Sequence, residues 1–345
     1  MNPMARRAWA LLIATGLSAC GGKVVVDGPA THGATSTTST GNGGGPGAGG
    51  GSAGSTMNGG GSIPLAYNLA EYMPATIWPI MLRTSAIDST GRLFVTDGKI
   101  VYAVTDGVPS IYLGYDDLKT NEPTMTTSVV SLDVGPDDRL YILERGYDHS
   151  ILVSSGPHIV AVHMTLGEAD ALDPRCMAVE SPNRILLMTT QGGLYEVTSA
   201  GAKQIYDETI VKSADQCAPV DFVVSQDGYF YFTPACAGFP LVAGKTDGSG
   251  AGIIKTVKDF EDFPAWNFGG LARHIGGGAV INFEGKTLYF DKTGKVTELS
   301  MTPPMTHFED GMSGLLIFRS NRIEVAASGD IYFIDYHKIY RATPQ

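Results

Sequence analysis

Charge is scarce in this chain of 345 residues: only 17% are Asp, Glu, Lys or Arg, and no stretch is rich in Lys and Arg. Binding to nucleic acid, which needs a basic patch or stripe, is excluded on that ground, and the net charge of −11 agrees. Between residues 28 and 62 charge is absent altogether, as is almost any apolar side chain large enough to build a core; 14 Gly and 11 Ser or Thr fill 25 of the 35 positions. Such a segment cannot bury enough surface to offset the entropy of ordering it, and it reads as a flexible tether. A random coil of this length has a root-mean-square span of about 30–35 Å. The histidines show no His-Glu-x-x-His or other metal-ligand spacing. Gly311-Met312-Ser313-Gly314 lacks the second spaced glycine of a nucleophile elbow and reads as a loop. What remains, residues 63–345, is long enough for one large domain with a sizeable core.

The N-terminus begins Met4-Ala5-Arg6-Arg7, continues in an apolar run from Ala8 to Leu17, and ends in Leu17-Ser18-Ala19-Cys20-Gly21. A basic start, a run of about ten apolar residues and small residues before the cut describe a secretory signal, too short to remain in a membrane as a spanning helix. The Leu-Ser-Ala-Cys ending resembles the lipobox of bacterial lipoproteins. That resemblance implies that residues 1–19 are removed, that the Cys20 sulfur carries diacylglycerol and that the new N-terminus is acylated with a chain such as palmitate. Residues 20–62 then form the lipidated tether. Several acyl chains, at about 0.8 kcal/mol per buried methylene, make attachment effectively permanent. Gly21 rather than Asp after the cysteine resembles lipoproteins sorted onward to the outer membrane, so the expected location is exported and lipid-anchored there.

Residues 63–345 repeat. Apolar residues that open a strand after a turn stand at Leu93, Leu140, Ile185, Phe230, Val280 and Ile331, at intervals of 47, 45, 45, 50 and 51. Two residues before each lies Gly91, Asp138, Asn183, Gly228, Gly278 or Gly329, the residue types that tolerate the left-handed backbone of a tight hairpin. Six before each lies Ile87, Val134, Val179, Val224, His274 or Val325, the tail of the preceding strand. Third strands recur eight to twelve residues onward, and a short fourth usually follows. Four short antiparallel strands repeated six times predict an all-β fold, a six-bladed β-propeller. The sixth repeat ends at its third strand, so residues 63–72 are expected to supply its missing outer strand and close the ring. The Asp88-Ser-Thr-Gly91-Arg-Leu-Phe-Val and Ser225-Gln-Asp-Gly228-Tyr-Phe-Tyr hairpins resemble those of six-bladed propellers of the NHL and gluconolactonase-like group. These hairpins fix architecture and not activity.

Three cysteines remain after Cys20. The hairpin around residues 225–228 pairs positions that sum to about 453, which sets Cys217 opposite Cys236. A disulfide there is permitted in an exported protein and would contribute about 3 kcal/mol. Cys176 is left over and reads as a buried free thiol.

Candidate ligand-binding residues follow from the strand that precedes each hairpin. Nine residues before the anchors stand Thr84, Ser131, Cys176, Asp221, Leu271 and Arg322; seven before stand Ala86, Asp133, Ala178, Val223, Arg273 and Glu324. Alternation places both sets on one side of their strands, near the axis. Asp133, Asp221 and Glu324 offer hard oxygens of the kind Ca²⁺ takes, and Arg273 or Arg322 could hold a carboxylate or phosphate. The competing reading pairs these charges with one another. His274, beside Arg273, joins the channel-mouth candidates, and the Glu144-Arg145-Gly146-Tyr147-Asp148-His149 loop supplies Glu144, Arg145, Tyr147 and His149 as candidate contacts. The resemblance to gluconolactonase-like hydrolases implies a Glu-Gly-Pro-x-Trp lead-in to one inner strand and an Arg-x-Asn-Asp stretch on another; this chain contains neither. Three functions stay open: a non-catalytic module for a protein, carbohydrate or small-molecule ligand, a lactonase-like metal-dependent hydrolase of the envelope, or a scaffold subunit of an envelope complex.

Overall fold

A computed structural model describes residues 63–74, 82–118, 128–145, 150–166, 173–207, 219–234, 241–255, 268–283, 286–303, 322–335 and 338–345. The chain divides into two units, Met1–Met57 and Asn58–Gln345, and every described residue belongs to the second. The lipobox at Leu17-Ser18-Ala19-Cys20 and the tether lie outside the described residues, as do Cys217, Cys236, Tyr147 and His149.

Twenty-four strands and no helix make up the described fold. A first strand, β1 (Ala66–Met73), precedes five groups of four. These are β2–β5 (Thr84–Ile87, Leu93–Thr96, Val101–Thr105, Val108–Leu113), β6–β9 (Ser128–Val134, Leu140–Arg145, Ser150–Gly156, Ile159–Thr165) and β10–β13 (Pro174–Ser181, Arg184–Thr189, Leu194–Thr198, Gly201–Tyr206). β14–β17 (Pro219–Val224, Tyr229–Pro234, Leu241–Lys245, Gly252–Lys255) and β18–β21 (Phe268–Arg273, Ala279–Phe283, Lys286–Phe290, Val296–Thr302) follow. The last three strands are β22–β24 (Arg322–Val325, Ile331–Ile334, Ile339–Pro344).

The fold is all-β, a propeller-like arrangement of four-stranded antiparallel sheets, but not of six separate ones. Four groups stand alone as four-stranded sheets, whereas the remaining eight strands form one sheet in the order β18-β19-β20-β21-β1-β24-β23-β22. The fusion has a local cause. β1 pairs antiparallel with β24, from Tyr67↔Pro344 to Met73↔Ile339, and also runs parallel to β21 through Ala66↔Ser300 to Asn68↔Thr302. The first strand of every group is the innermost, and these strands neighbour one another in a closed series: β2, β6, β10, β14, β18, β22 and back to β2.

The core lies between adjacent sheets because strand alternation gives each sheet two apolar faces. Ala86 and Phe94 of one sheet meet Val129, Leu132, Leu140 and Ile142 of the next; Leu186 and Met188 meet Phe222, Phe230 and Phe232 in the same manner. Each fully buried Phe or Leu contributes about 1.5–3 kcal/mol.

The inner hairpins share one construction. The N–H of Gly91, Asp138, Gly228, Gly277 and Gly329 donates to the carbonyl three residues earlier, at 2.9–3.1 Å. All five residues have positive φ, between 62° and 90°, where glycine, or less often aspartate, is favoured. Two details differ from the repeat read in the sequence. Asn183 is not left-handed, and the turn there is shorter, with Ser181 paired directly with Arg184 and only Pro182-Asn183 between them. In the fifth repeat the residue equivalent to Gly91 is Gly277, and Arg273 pairs with Ala279, not with Val280. The run Gly276-Gly277-Gly278 therefore shifts that repeat by one position.

Candidate functional site

The innermost strands enclose a cavity of about 50 Å³ lined by Ser85, Ser131, Asp133, Asp221, Arg273, Arg322 and Glu324, among others. One water needs about 10–15 Å³ on this measure, so the space suits a few waters and no sugar-sized ligand. Five of the six channel residues picked out in the sequence thus converge. His274 does not: it follows the last residue of β18 and begins the hairpin turn, away from the ends where the inner strands start. Its Nδ1 accepts the Gly276 N–H at 3.0 Å, its ring lies edge-on to Tyr289, and burial lowers its pKa. The one-residue shift of the fifth repeat accounts for this, since Arg273, and not His274, occupies the position of Val134 and Val224.

Inner strands of neighbouring sheets do not form ladders with one another, so their edges expose backbone N–H groups that need acceptors. The polar side chains supply them. Ser131 Oγ accepts the Met177 N–H at 3.2 Å, and Asp133 Oδ2 accepts the Val179 N–H at 2.7 Å while its Oδ1 accepts that of Val134 at 2.8 Å. Asp221 repeats the device two seams further on: Oδ2 accepts the Leu271 N–H at 2.9 Å and Oδ1 that of Phe222 at 3.0 Å. At the seam between β22 and β2, Ser85 Oγ donates to Glu324 Oε1 at 2.6 Å. Ser131 stands in the ring read nine residues before the anchors, whereas Ser85 belongs to neither ring and was not singled out from sequence.

Two arginines cross the opening. Arg322 forms an ion pair with Asp221, skipping over β18 to reach β14, and its Nε donates to the Arg83 carbonyl at 3.2 Å. Arg273 Nη2 donates to the Val134 carbonyl at 3.0 Å and stands 3.6 Å from Asp133 Oδ1. Burial raises the pKa of Asp133 and Asp221, opposed by Arg273 and Arg322 respectively. Glu324 is pushed up to about 7 by burial; the Ser85 hydrogen bond opposes the rise and the Asp133 charge adds to it. Cys176, also buried, has its thiol pushed up to about 12 by burial and is free.

This arrangement does not fit a metal. Among the described residues no three His, Cys, Asp or Glu side chains converge as a ligand set, and the oxygens of Asp133 and Asp221 already accept hydrogen bonds. Of the two readings of the channel charges, the described contacts are those of the paired one, with Asp133 beside Arg273 and Asp221 paired with Arg322.

The Glu144 loop also differs from expectation. Glu144 lies in β7, paired with Val129 and Ser150, and is only 5% exposed. Its Oε2 has no hydrogen-bond partner among the described residues, and burial pushes its pKa up to about 7. Arg145 is exposed and pairs with Asp173 at 2.8 Å. Glu144 and Glu324 both have folded pKa values above the ordinary 4.5. Their protonated forms favour the fold, so their contribution is complete below pH 4.5 and is lost as pH rises through about 7. For Glu144 the shift corresponds to about 3 kcal/mol. Denaturant unfolding at pH 5 and pH 8 is expected to show lower stability at pH 8 and a smaller difference in E144Q; an equal difference in both proteins would refute this account.

No protein-family model matches the chain, and no curated protein sequence matches it. Solved structures do resemble it. A streptogramin B lyase superimposes with a TM-score of 0.51 at 14% identity, covering 81% of this chain and 98% of that one. A gluconolactonase from Xanthomonas campestris gives 0.53 at 14% identity, covering 80% and 89%. A provisional gluconolactonase gives 0.56 at 10% identity, covering 81% and 93%. At these identities the likeness shows the fold, a β-propeller, and nothing of the chemistry.

Proposed function

We propose that the chain is an exported, lipid-anchored six-bladed propeller that binds an envelope or extracellular ligand without catalysing its conversion. The six-bladed count takes the eight-stranded sheet as two blades joined through β21 and β1, consistent with six inner strands in closed series. The observation that carries the non-catalytic reading is the commitment of the channel carboxylates to neighbouring backbone N–H groups and arginines. Binding then belongs to the face where the inner strands begin, with Arg145 at its edge. A protein, carbohydrate or small molecule remains the expected class of ligand.

A lactonase-like hydrolase is the second reading, favoured by the fold likeness to gluconolactonases and by a channel carboxylate, Glu324, poised near neutrality. Metal analysis of the purified protein together with hydrolysis of a sugar lactone separates the two. The binding reading expects no stoichiometric divalent cation and no hydrolysis above buffer. One tightly held cation per chain, or lactone turnover, would sink it.

The anchor is read from Cys20 and the pairing of Cys217 with Cys236 from register. Pro219↔Pro234 is the outermost described pair of β14 and β15, and its positions have the same sum, 453, as those of Cys217 and Cys236. An intact mass of the chain recovered from membranes should show cleavage before Cys20, added acyl groups and the loss of two hydrogens. A mass beginning at Met1, without acyl groups, would remove the anchor from the proposal.

A further inference from the structure

Asp173-Pro174 is the only Asp-Pro pair in the 345 residues. Proline makes this bond a tertiary amide, whose nitrogen leaves as a secondary amine. An aspartate before it carries its own nucleophile, because attack of the side-chain carboxylate on the main-chain carbonyl closes a five-membered ring. Four non-glycine residues have positive φ among the described residues. Asp106, Asp138 and His158 lie in tight turns between consecutive strands, where such backbone is ordinary, whereas Asp173, at 49°, stands directly before β10. Left-handed backbone outside a turn is strain of the kind found at reactive sites.

The surroundings of Asp173 converge on the same bond. Its carbonyl oxygen accepts both the Thr190 N–H and the Thr190 Oγ1–H at 3.0 Å. The first bond continues the β10–β11 ladder beyond Pro174↔Thr189; the hydroxyl is additional. That same Oγ1 is 2.8 Å from Asp173 Oδ2, so the carboxyl is folded back beside its own carbonyl, and Oδ1 accepts Arg145 Nη2 at 2.8 Å. The Asp173 side chain is 47% exposed, so water reaches it.

We infer that the folded chain promotes cleavage of its own Asp173–Pro174 bond. Asp173 Oδ2 attacks the Asp173 carbonyl carbon; the C–N bond breaks, and its electron pair stays on the Pro174 nitrogen, which takes a proton from solvent. The cyclic anhydride left at Asp173 adds one water and opens to two carboxyl groups. During attack, negative charge moves from Oδ2 to the carbonyl oxygen. One hydroxyl donates only one hydrogen, so the Thr190 Oγ1–H passes from Oδ2 to the carbonyl oxygen as the charge arrives there, a bond that strengthens in the transition state. The nicked ring stays assembled: β1, before the cut, pairs with β21 and β24, after it, and Asp133 of β6 still accepts the Val179 N–H of β10.

Intact mass under denaturing conditions tests this on the full chain carrying Cys20→Ser, held at pH 5 either folded or in denaturant. Two fragments are expected, meeting between residues 173 and 174, with masses that sum to the parent plus one water. They should form at least about tenfold faster in the folded chain, the oriented carboxylate and donors being absent in denaturant. T190V should slow folded cleavage by about a hundredfold, as loss of an oxyanion donor does, and leave the rate in denaturant unchanged, while T190S should retain most of it. D173G suits the left-handed backbone, removes the nucleophile and should not be cut; it carries the test if T190V proves unfolded by circular dichroism. An uncut folded chain, a folded rate no faster than that in denaturant, cleavage of folded T190V at the parent rate, or a cut at this bond in D173G overturns the inference.

Discussion

Replacing Arg322 with methionine is expected to cost the fold about 3–5 kcal/mol, the loss typical of removing one partner from a buried ion pair. The methionine keeps most of the volume but leaves Asp221 with two backbone donors and no compensating cation. Burial already raises the pKa of that carboxyl, and Arg322 is the largest influence opposing the rise. Without it, Asp221 takes up a proton at higher pH, so the variant should be least impaired in acid. The double variant R322M/D221N, which removes both charges, is expected to recover part of the loss, as replacements of buried pairs by neutral groups often do. Chemical denaturation of the four proteins of this cycle measures the coupling. A loss below about 1 kcal/mol for R322M would mean that the pair behaves as an exposed one.

Gly270→Ala is expected to be nearly as damaging, and in the direction opposite to the usual effect of that substitution. Elsewhere Gly→Ala stabilises by about 0.4–1 kcal/mol, by restricting the unfolded chain. A Cβ at Gly270 would stand 2.4 Å from Arg322 Cα and 2.5 Å from the Ile323 nitrogen. Both are backbone atoms of β22, so no side chain can swing aside and two inner strands would have to separate. Overpacking of this kind costs about 1–3 kcal/mol and sometimes more; contact with backbone on both strands places Gly270 at the upper end. Gly201→Ala serves as the control, since a Cβ there meets nothing within 4 Å and only its φ of 124° is unfavourable. A melting temperature for G270A equal to that of the parent would show that β18 and β22 can part without penalty.

The repeat was legible in the sequence because turn chemistry is local. A left-handed residue between two apolar runs admits few side chains, and Gly91, Asp138, Gly228 and Gly329 each announce a hairpin on their own. The fifth repeat misled for the same reason: three consecutive glycines offer three equivalent turn positions, and only the pairing of Arg273 with Ala279 decides among them. That single step displaced His274 into a strand and Arg273 into the ring of Asp133 and Glu324. Alternation brought Asp133, Asp221, Arg322 and Glu324 to the axis correctly. What they do there was not legible, since the partners of Asp133 and Asp221 are main-chain N–H groups of residues about 46–50 positions away, which carry no sequence signature. Glu144 illustrates the converse. A glutamate beside arginine, glycine, tyrosine and aspartate reads as a wet loop, yet it lies within a strand and is enclosed.

The double pairing of β1 sets the order in which the molecule can be finished. β1 is made first, yet both of its neighbours come from the far end of the chain; Gln345 N–H donates to the Ala66 carbonyl at 3.0 Å, and the Gln345 side chain to that of Asn68 at 2.9 Å. An emerging polypeptide must therefore hold its leading strand in reserve through nearly the whole of its own synthesis, and contacts of such sequence separation form slowly. A chain interrupted before residue 339 would leave β1 without β24 and β23 without its outer neighbour. A product without β24 thus presents two adhesive edges, and residues 339–345 act as the clasp that closes them.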